Sequence, residues 1–388
     1  MGITKIKIFE YILILGAIQG ILLSVLLFTK KENQPANLLL AFAMLALSFD
    51  VFNSAYIMFG YYRDFPHFTG ITYSFPFLYG PIFFIYTKLI SNRKISFDKK
   101  DFLHFIPFLI VVIYGLVFVY PKGADFKLGL IASKQANNLP ALELISYLKP
   151  IHGIIYVLLT IGVVKSFNEK IKNSYSNLES INLKWLQYLT IGLSIVWSIV
   201  AFTYFLNFVD KMRAGADLLI YTAASVLIYS IGYFSLKQPQ IFESLLFPPE
   251  TDSKSKTTKD QRASYNKSGL TDEIAKNHLN KLIKLMETEK PFLNSELTLR
   301  ELAEKLSISP HNLSELLNTK LNKNFYDFIN HYRIEEFKRR LSDPTSDKFS
   351  LIALAFDSGF NSKSTFNTIF KKFTGITPSQ YRKQFTQV

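Results

Sequence analysis

The last thirty residues of this 388-residue chain carry basic side chains and no acidic ones. Lys363, Lys371, Lys372, Arg382 and Lys383 lie between positions 359 and 388, where Asp and Glu are absent. Such an excess attracts phosphate groups, and Lys and Arg supply many of the contacts that proteins make to a nucleic-acid backbone. Residues 270–320 hold 7 basic and 8 acidic residues, so this attraction should come mainly from the end of the chain.

A different kind of chemistry is suggested by Asp50, which interrupts the apolar run Leu38–Gly60. Asn53 follows one helical turn later, on about the same face. A carboxylate at the middle of an apolar span is costly enough to be a functional-site candidate. We therefore name Asp50 and Asn53 as candidate signal-sensing residues. The alternative is an aspartate that only holds helices together, and the sequence does not separate the two.

Catalytic, metal and cofactor sites are not predicted anywhere in the chain. There are no cysteines, which excludes disulfides and thiolate metal sites. The apolar half contains no HExxH motif, no paired histidine and carboxylate spacing, and no Gly-rich phosphate loop. We expect a protein that is not an enzyme and that needs no cofactor.

The apolar half, residues 1–236, contains seven runs that match the roughly 20 residues needed to cross a bilayer as a helix. Two runs need qualification, because Asp50 interrupts the second and the fifth is short unless Lys149 and Lys165 reach the interface from its ends. The seven runs are Tyr11–Thr29, Leu38–Gly60, Phe65–Thr87, Phe102–Pro121, Pro150–Val164, Trp185–Val209 and Leu218–Leu236. They predict a seven-helix transmembrane bundle.

A linker is predicted at residues 237–269. Pro239 and the pair Pro248-Pro249 end the last apolar helix, and residues 250–269 are rich in Ser, Thr, Lys and Asp. We expect three parts: a membrane domain at 1–236, this linker, and a second domain at 270–388. A flexible tether and a protease-sensitive strip are both consistent with the linker.

Two helix-turn-helix units must position the basic residues at the end of the chain. The first runs from Leu299 through a turn at Ser309-Pro310 to Leu317, and the second runs from Leu351 through a turn at Gly359 to Phe373. Start signals support these helices: capping boxes at Thr298 with Glu301 and at Thr377 with Gln380, and an N-cap at Ser309. The second domain is therefore also expected to be all-α.

The most specific run is Leu354-Ala355-x3-Gly359-Phe360-x5-Phe366-x3-Phe370-Lys371-Lys372-x2-Gly375-x-Thr377-Pro378-x2-Tyr381-Arg382. With this run, residues 270–385 resemble the AraC-type transcription regulator domain. The resemblance implies that a long helix, about Phe325 to Leu341, joins the two units. Its length of roughly 25 Å can hold two recognition helices in successive major grooves, about 34 Å apart.

Two positions depart from the family pattern. Asn322 and Asn324 stand where the family often has glycine after the first recognition helix, and asparagine tolerates the left-handed conformation. Phe337 stands where a small residue is usual in the linking helix, which implies local repacking.

The resemblance also implies which side chains meet DNA. Base-facing positions would lie on the two recognition helices, with neighbours and basic residues contacting the backbone. The full set is His311, Asn312, Ser314, Glu315, Ser362, Lys363, Ser364, Thr365, Asn367, Thr368, Lys371, Lys372 and Arg382.

An odd number of spans places the two ends of the chain on opposite sides of the membrane. A domain that reads chromosomal DNA is cytoplasmic, which leaves the N-terminus outside. The predicted inner connections and the start of the linker hold fourteen Lys and Arg residues, against nine in the outer segments. This bias agrees with the positive-inside rule and predicts a multi-pass protein of the inner membrane.

Together these patterns predict a membrane-embedded transcription regulator that couples a signal at the membrane to promoter binding. Its expected partners are double-stranded DNA and the lipid bilayer, while a small-molecule or envelope signal and a homodimer stay open. One alternative is a transporter or enzyme with a fused autoregulatory domain. Another is a passively anchored regulator released by cleavage of the linker.

Overall fold

A computed structural model describes residues 2–31, 34–92, 97–131, 139–178, 184–208, 216–236 and 272–386. These residues form fifteen α-helices and no β-strand, which confirms the all-α fold class. The chain divides into two compact units, Met1–Phe167 with Leu183–Ile241, and Asn168–Asn182 with Phe242–Val388. The predicted linker at 237–269 lies outside the described residues.

The first unit consists mainly of long apolar helices. The helix α1 packs against α2 and α8, α2 packs against α3, and α7 packs against α8. The bounds are α1 Gly2–Thr29, α2 Gln34–Met58, α3 Pro76–Asn92, α4 Ile106–Phe118, α5 Ala124–Ile131, α6 Pro140–Ser174, α7 Lys184–Phe208 and α8 Ala216–Leu236. The last residues of α6, from Asn168 onward, belong to the second unit.

Five helical segments among the described residues are long and apolar enough to cross a membrane, judged by length and composition. A sixth apolar stretch, Leu218–Ile231, is shorter. The count of seven spans stays a prediction. The five segments are Tyr11–Thr29, Gln34–Met58, Lys99–Phe118, Ala141–Ser174 and Trp185–Leu206.

The predicted third span, Phe65–Thr87, is wrong in its first half. A short 3-10 helix at Pro66–Phe68 and a series of turns precede α3, which begins only at Pro76. Gly70 has a φ of 83°, and proline at position 76 suits the first turn of a helix. The apolar composition is real, but these residues bend the chain instead of extending it as one helix.

Lys149 also differs from expectation, because it does not lie at the end of a helix. The helix α6 begins at Pro140 and continues through Pro150, so Lys149 lies inside it and is buried. Its ammonium group lies 3.3 Å from the centroid of the Tyr73 ring. This cation–π contact supplies a partner for the charge within the bundle.

The second unit contains the two helix-turn-helix units and a helix that precedes them. One hydrophobic core lies around the first pair of helices and another around the second pair. The helices are α9 Asp272–Thr288, α10 Leu299–Lys305, α11 Pro310–Lys320, α12 Phe325–Leu341, α13 Leu351–Asp357, α14 Lys363–Thr374 and α15 Pro378–Thr386. The linking helix α12 has the bounds that the sequence predicts.

Candidate nucleic-acid interface

The first helix-turn-helix unit is fixed by the predicted caps. The Thr298 side chain accepts the Glu301 N–H, and the Glu301 carboxylate accepts the Thr298 N–H at 2.8 Å, which confirms the capping box at α10. The Ser309 hydroxyl accepts the Asn312 N–H at 3.1 Å and caps α11. Because both helices start at defined residues, the outer face of α11 has a fixed orientation.

The outer face of α11 carries the polar side chains expected from the sequence. His311 is exposed, whereas Asn312, Ser314 and Glu315 are partly exposed. The His311 Nε2 lies 3.9 Å from a Glu315 carboxylate oxygen. The opposite face consists of the buried side chains Leu313, Leu316 and Leu317. The polar outer face of α11 therefore offers hydrogen-bonding groups to a partner, while the leucine face packs into the core and holds the helix in place.

The turn of the second unit depends on Gly359. Its φ is 94°, and a Cβ at this position would come within 2.3 Å of the Phe292 carbonyl oxygen. Behind it, Phe360 and Phe366 are buried with ring centroids 5.3 Å apart. Phe337 contributes its ring 4.7 Å from that of Phe366. The large residue at position 337 thus fills the second core.

The second recognition helix, α14, presents its polar face outward. The Ser362 hydroxyl accepts the Thr365 N–H at 3.3 Å and caps the helix, while Gly375 ends it with a φ of 80°. Thr365 is partly exposed. The exposed side chains follow helical spacing along one face, and they are Lys363, Ser364, Asn367, Thr368, Lys371 and Lys372.

The three residues expected to contact phosphates differ in their surroundings. Lys371 is exposed at the end of α14. Lys372 forms a 2.6 Å ion pair with Asp327 at the start of α12. Arg382 is partly exposed and donates to the Phe349 carbonyl at 3.4 Å. Of the three, Lys371 is the best placed to meet a phosphate.

A comparison with family models matches residues 302–384 to a helix-turn-helix domain. The C-terminal region is an AraC-type helix-turn-helix domain. The match begins within α10 and ends within α15, so it covers both units and the helix that joins them.

Transcriptional regulators of other bacteria resemble part of this chain. A helix-turn-helix-type transcriptional regulator of Staphylococcus aureus (strain COL) is 36% identical over 89 residues, 23% of this chain and 12% of that protein. The melibiose operon regulatory protein of Escherichia coli is 31% identical over 87 residues, 22% of this chain and 28% of that protein. The chain thus spans about an eighth of the first relative and just over a quarter of the second.

One solved structure, a protein of unknown function from Listeria innocua, is also similar. It shares 30% sequence identity, and the match covers 27% of this chain and 93% of that one with a TM-score of 0.23.

The AraC-type domain contains a buried arginine that sequence reasoning did not single out as a functional residue. Arg333 on α12 is 2% exposed. Its guanidinium donates to the carbonyls of Phe292, Asn294 and Ser295 at 2.8 to 3.2 Å, and lies 5.9 Å from the Phe360 ring centroid. Burial lowers its pKa to about 10, which still leaves it charged at neutral pH. Arg333 thus connects the loop that precedes α10 to Phe360 of the second helix-turn-helix unit.

Further partners of Arg333 come from the segment that follows α6. Arg333 donates to the Ser176 carbonyl at 3.1 Å and to its hydroxyl at 3.0 Å. The Ser176 hydroxyl donates in turn to the Leu297 carbonyl at 2.6 Å, and Tyr175 pairs with Thr298 in an antiparallel bridge. We call residues 175–178 the docked segment, because the second unit includes them.

The docked segment also reaches the start of the second recognition helix. Asn177 donates to the Glu296 carboxylate at 2.8 Å, and Asn361 donates to the same oxygen at 3.1 Å. Leu178 packs against the second hydrophobic core. One carboxylate therefore connects the docked segment to the residue that precedes the Ser362 cap.

The only sequence signal for this arrangement is the position of Arg333. It lies four residues after Ile329 and four before Phe337, both fully buried, so it falls on the apolar face of α12. A charged residue on an apolar face indicates a buried partner but does not name it. Ser176 lies 157 positions away in the sequence, beyond the reach of local patterns.

A second charged cluster stabilises α12 near Arg333. Glu336 is buried and accepts from Arg339 at 2.7 Å, Arg340 at 2.9 Å and Lys290 at 3.1 Å. The hydrogen bond from Arg339 and the other cations hold the pKa of Glu336 at about 2, well below its ordinary value. This cluster ties Lys290, which precedes α10, to the linking helix.

The candidate sensing residues of the first unit both have partners. Asp50 accepts a 2.9 Å hydrogen bond from Tyr79 on α3. Asn53 donates to Thr72 at 3.1 Å. The two residues lie on one face of α2 and contact the bent segment and the helix that follows it. The geometry is consistent with a structural and with a sensory role, so sensing stays a prediction.

Proposed function

We propose that this protein is a membrane-embedded transcription regulator whose membrane part controls how its AraC-type domain binds promoter DNA. The observation that carries the proposal is the docked segment. Residues 168–178 comprise the last turns of α6, an apolar helix long enough to cross a bilayer, and the docked segment, and yet they are part of the DNA-reading unit. A movement of α6 would therefore act directly on the contacts of Arg333.

The membrane location is supported by the surface of the first unit. Large apolar side chains on several helices are more than half exposed, among them Leu22, Ile110, Leu158 and Phe202. A water-soluble protein rarely exposes so much apolar surface. We infer a multi-pass protein of the inner membrane, with its N-terminus outside and the AraC-type domain in the cytoplasm.

On the DNA side, we infer that α11 and α14 enter successive major grooves. Base contacts would come from His311, Ser314 and Glu315 on α11 and from Lys363, Ser364, Asn367 and Thr368 on α14. Lys371 would contact the backbone and fix the register. The 17-residue α12 separates the two recognition helices.

Coupling would work through two conformations of the docked segment. A signal can shift an equilibrium only through contacts that differ between two states. If the docked segment left its place, Arg333 would lose the two hydrogen bonds that it donates to Ser176. Glu296 would lose the one that it accepts from Asn177. Arg333 and Glu296 connect the loop that precedes α10 to the second helix-turn-helix unit. Undocking would therefore change the placement of the second unit relative to α10, and with it the fit to two grooves.

This arrangement argues against passive anchoring with release by cleavage at residues 237–269. Cleavage there would leave residues 168–182 on the membrane side of the cut. A released AraC-type domain would lose Ser176 as a partner of Arg333. The transporter alternative remains distinguishable, because it requires solute uptake by vesicles that contain the protein.

The test is to map DNA crosslinked to the full-length protein in cells, together with topology fusions. We expect discrete promoter sites that co-sediment with membranes, and cytoplasmic reporter signals for fusions after Lys94 and Lys256. A periplasmic signal at Lys256 would contradict the architecture. Recovery of the bound sites only with a soluble fragment would instead favour release.

A further inference from the structure

The first unit contains an open cavity of about 740 Å³ that the proposed function does not use. Its walls come from the end of α2, from the turns before α3, from α4 and α5, from the first turns of α6, and from α7. A volume in this range suits an organic molecule of moderate size. We call this space the tyrosine cavity, because its lining includes Tyr73, Tyr114, Tyr120, Tyr147 and Tyr204.

The lining of the tyrosine cavity favours a positive charge. The faces of aromatic rings carry negative potential and attract ammonium groups. Glu143, in the first turn of α6, is exposed and adds a carboxylate. Among the described residues that line the cavity, Glu143 is the charged one, and no Lys or Arg is included. Hydroxyl groups from Thr69, Ser74 and Ser146 supply the other polar contacts.

The inner wall already shows one ammonium held by a tyrosine. Lys149 places its Nζ 3.3 Å from the centroid of the Tyr73 ring. The Tyr73 hydroxyl donates to the Leu142 carbonyl at 2.6 Å, which holds the ring against α6. One face of Tyr73 therefore already holds a cation of the protein itself.

Lys149 does not line the tyrosine cavity. It lines a smaller neighbouring cavity of about 140 Å³, together with Asp50. Tyr204 borders both spaces. The carboxylate of Glu143 is then the charge that a ligand in the larger cavity would neutralise.

We propose that the tyrosine cavity binds a small organic cation, a primary or quaternary ammonium compound. Glu143 is its counter-ion, and the tyrosine faces surround its alkyl groups. The inference rests on the proposed function in one respect, since the cavity is taken as the sensory site. Glu143 and Ser146 lie on α6, the helix that ends in the docked segment.

The test measures binding to the full-length protein in lipid nanodiscs by titration calorimetry. The probes are choline and its uncharged isostere 3,3-dimethylbutan-1-ol, which differ in charge but hardly in shape. We expect choline to bind roughly tenfold more tightly, as a cation–π contact and a carboxylate together provide. Glu143→Gln should reduce this preference, whereas Glu169→Gln, which changes an exposed glutamate farther along α6, should keep it unchanged.

The ring and the hydroxyl of a lining tyrosine can be separated in the same assay. Tyr147→Phe should keep the preference for choline, and Tyr147→Leu should weaken it. Three results would overturn the proposal: equal binding of choline and its isostere, an undiminished preference for choline in Glu143→Gln, or no binding of choline. The affinity for DNA of the same protein in nanodiscs, measured without choline or its isostere, tests the proposed function separately from ligand binding.

Discussion

Lys371 and Lys372 are neighbours in the sequence but differ in what they contact. Lys372 is held by Asp327, whereas Lys371 is exposed at the end of α14. To reach a phosphate, Lys372 would first have to leave its ion pair. The net charge of the segment therefore overstates the number of side chains available to DNA.

Lys371→Ala should weaken DNA binding about equally on all sequences and lower the log–log salt slope by about 1. Lys372→Ala should have a smaller effect, because its charge already has a partner. Lys363→Ala should instead change which bases are preferred. Salt titrations of binding to matched and mismatched sites measure all three. If Lys363→Ala lost only general affinity, the placement of α14 in the major groove would be wrong.

Glu336 makes the stability of the AraC-type domain depend on acidic pH. Its pKa falls from an ordinary 4.5 to about 2 in the folded state, chiefly through Arg339. A depressed carboxyl pKa stabilises the folded state above the unfolded pKa, and this contribution is lost as pH falls from about 4.5 toward 2. Glutamine at this position has no such titration.

Urea unfolding of residues 270–388 at pH 7 and pH 3 measures this effect. Between pH 7 and pH 3, the free energy of unfolding of the wild-type segment should fall by roughly 1–2 kcal/mol more than that of Glu336→Gln. Equal losses would mean that Glu336 is not held in its ion pairs in solution.

At the scale of elements, the two glycines with left-handed conformations offer a matched comparison. Gly359→Ala should destabilise the domain by about 3 kcal/mol, because a Cβ meets the Phe292 carbonyl in addition to the strained φ. Gly375→Ala should cost only about 1 kcal/mol, since nothing lies within 4 Å of its Cβ. Thermal unfolding of both variants decides the order. If the two variants lost similar stability, the close approach of the Phe292 carbonyl to position 359 would not contribute to the cost.

The elements that the sequence predicts well are those specified by neighbouring residues. Thr298 with Glu301, Ser309, and Thr377 with Gln380 all form the expected caps. Asn322 adopts the left-handed conformation expected where the family often has glycine, with a φ of 50°. In each case the partners lie within three residues or the conformation belongs to one residue, so local chemistry decides.

The features that the sequence does not reveal depend on distant partners. Phe65–Phe75 has the apolar composition of a span, yet it forms a 3-10 helix and turns. Composition alone does not predict where turns occur. Lys149 is buried because Tyr73 provides a ring for its ammonium group. Arg333 is buried because Ser176 and three carbonyls satisfy it. None of these pairs leaves a periodic signal.

For the molecule as a whole, the central claim is that the state of the docked segment sets DNA affinity. The chain has no cysteine, so Tyr175→Cys with Thr298→Cys offers a single disulfide across the observed bridge. This variant holds the segment in place when oxidised and serves as its own control when reduced. Ser176→Ala with Asn177→Ala gives the opposite case, a segment with weakened contacts.

The deciding measurement is the Kd of each full-length form, in nanodiscs, for one promoter site found by mapping. The oxidised disulfide form and the Ser176→Ala, Asn177→Ala form should differ by roughly fivefold or more, the range of typical coupling free energies. The wild-type Kd should lie between them. Identical Kd values for all three would contradict the account and leave the docked segment as a structural part of the domain.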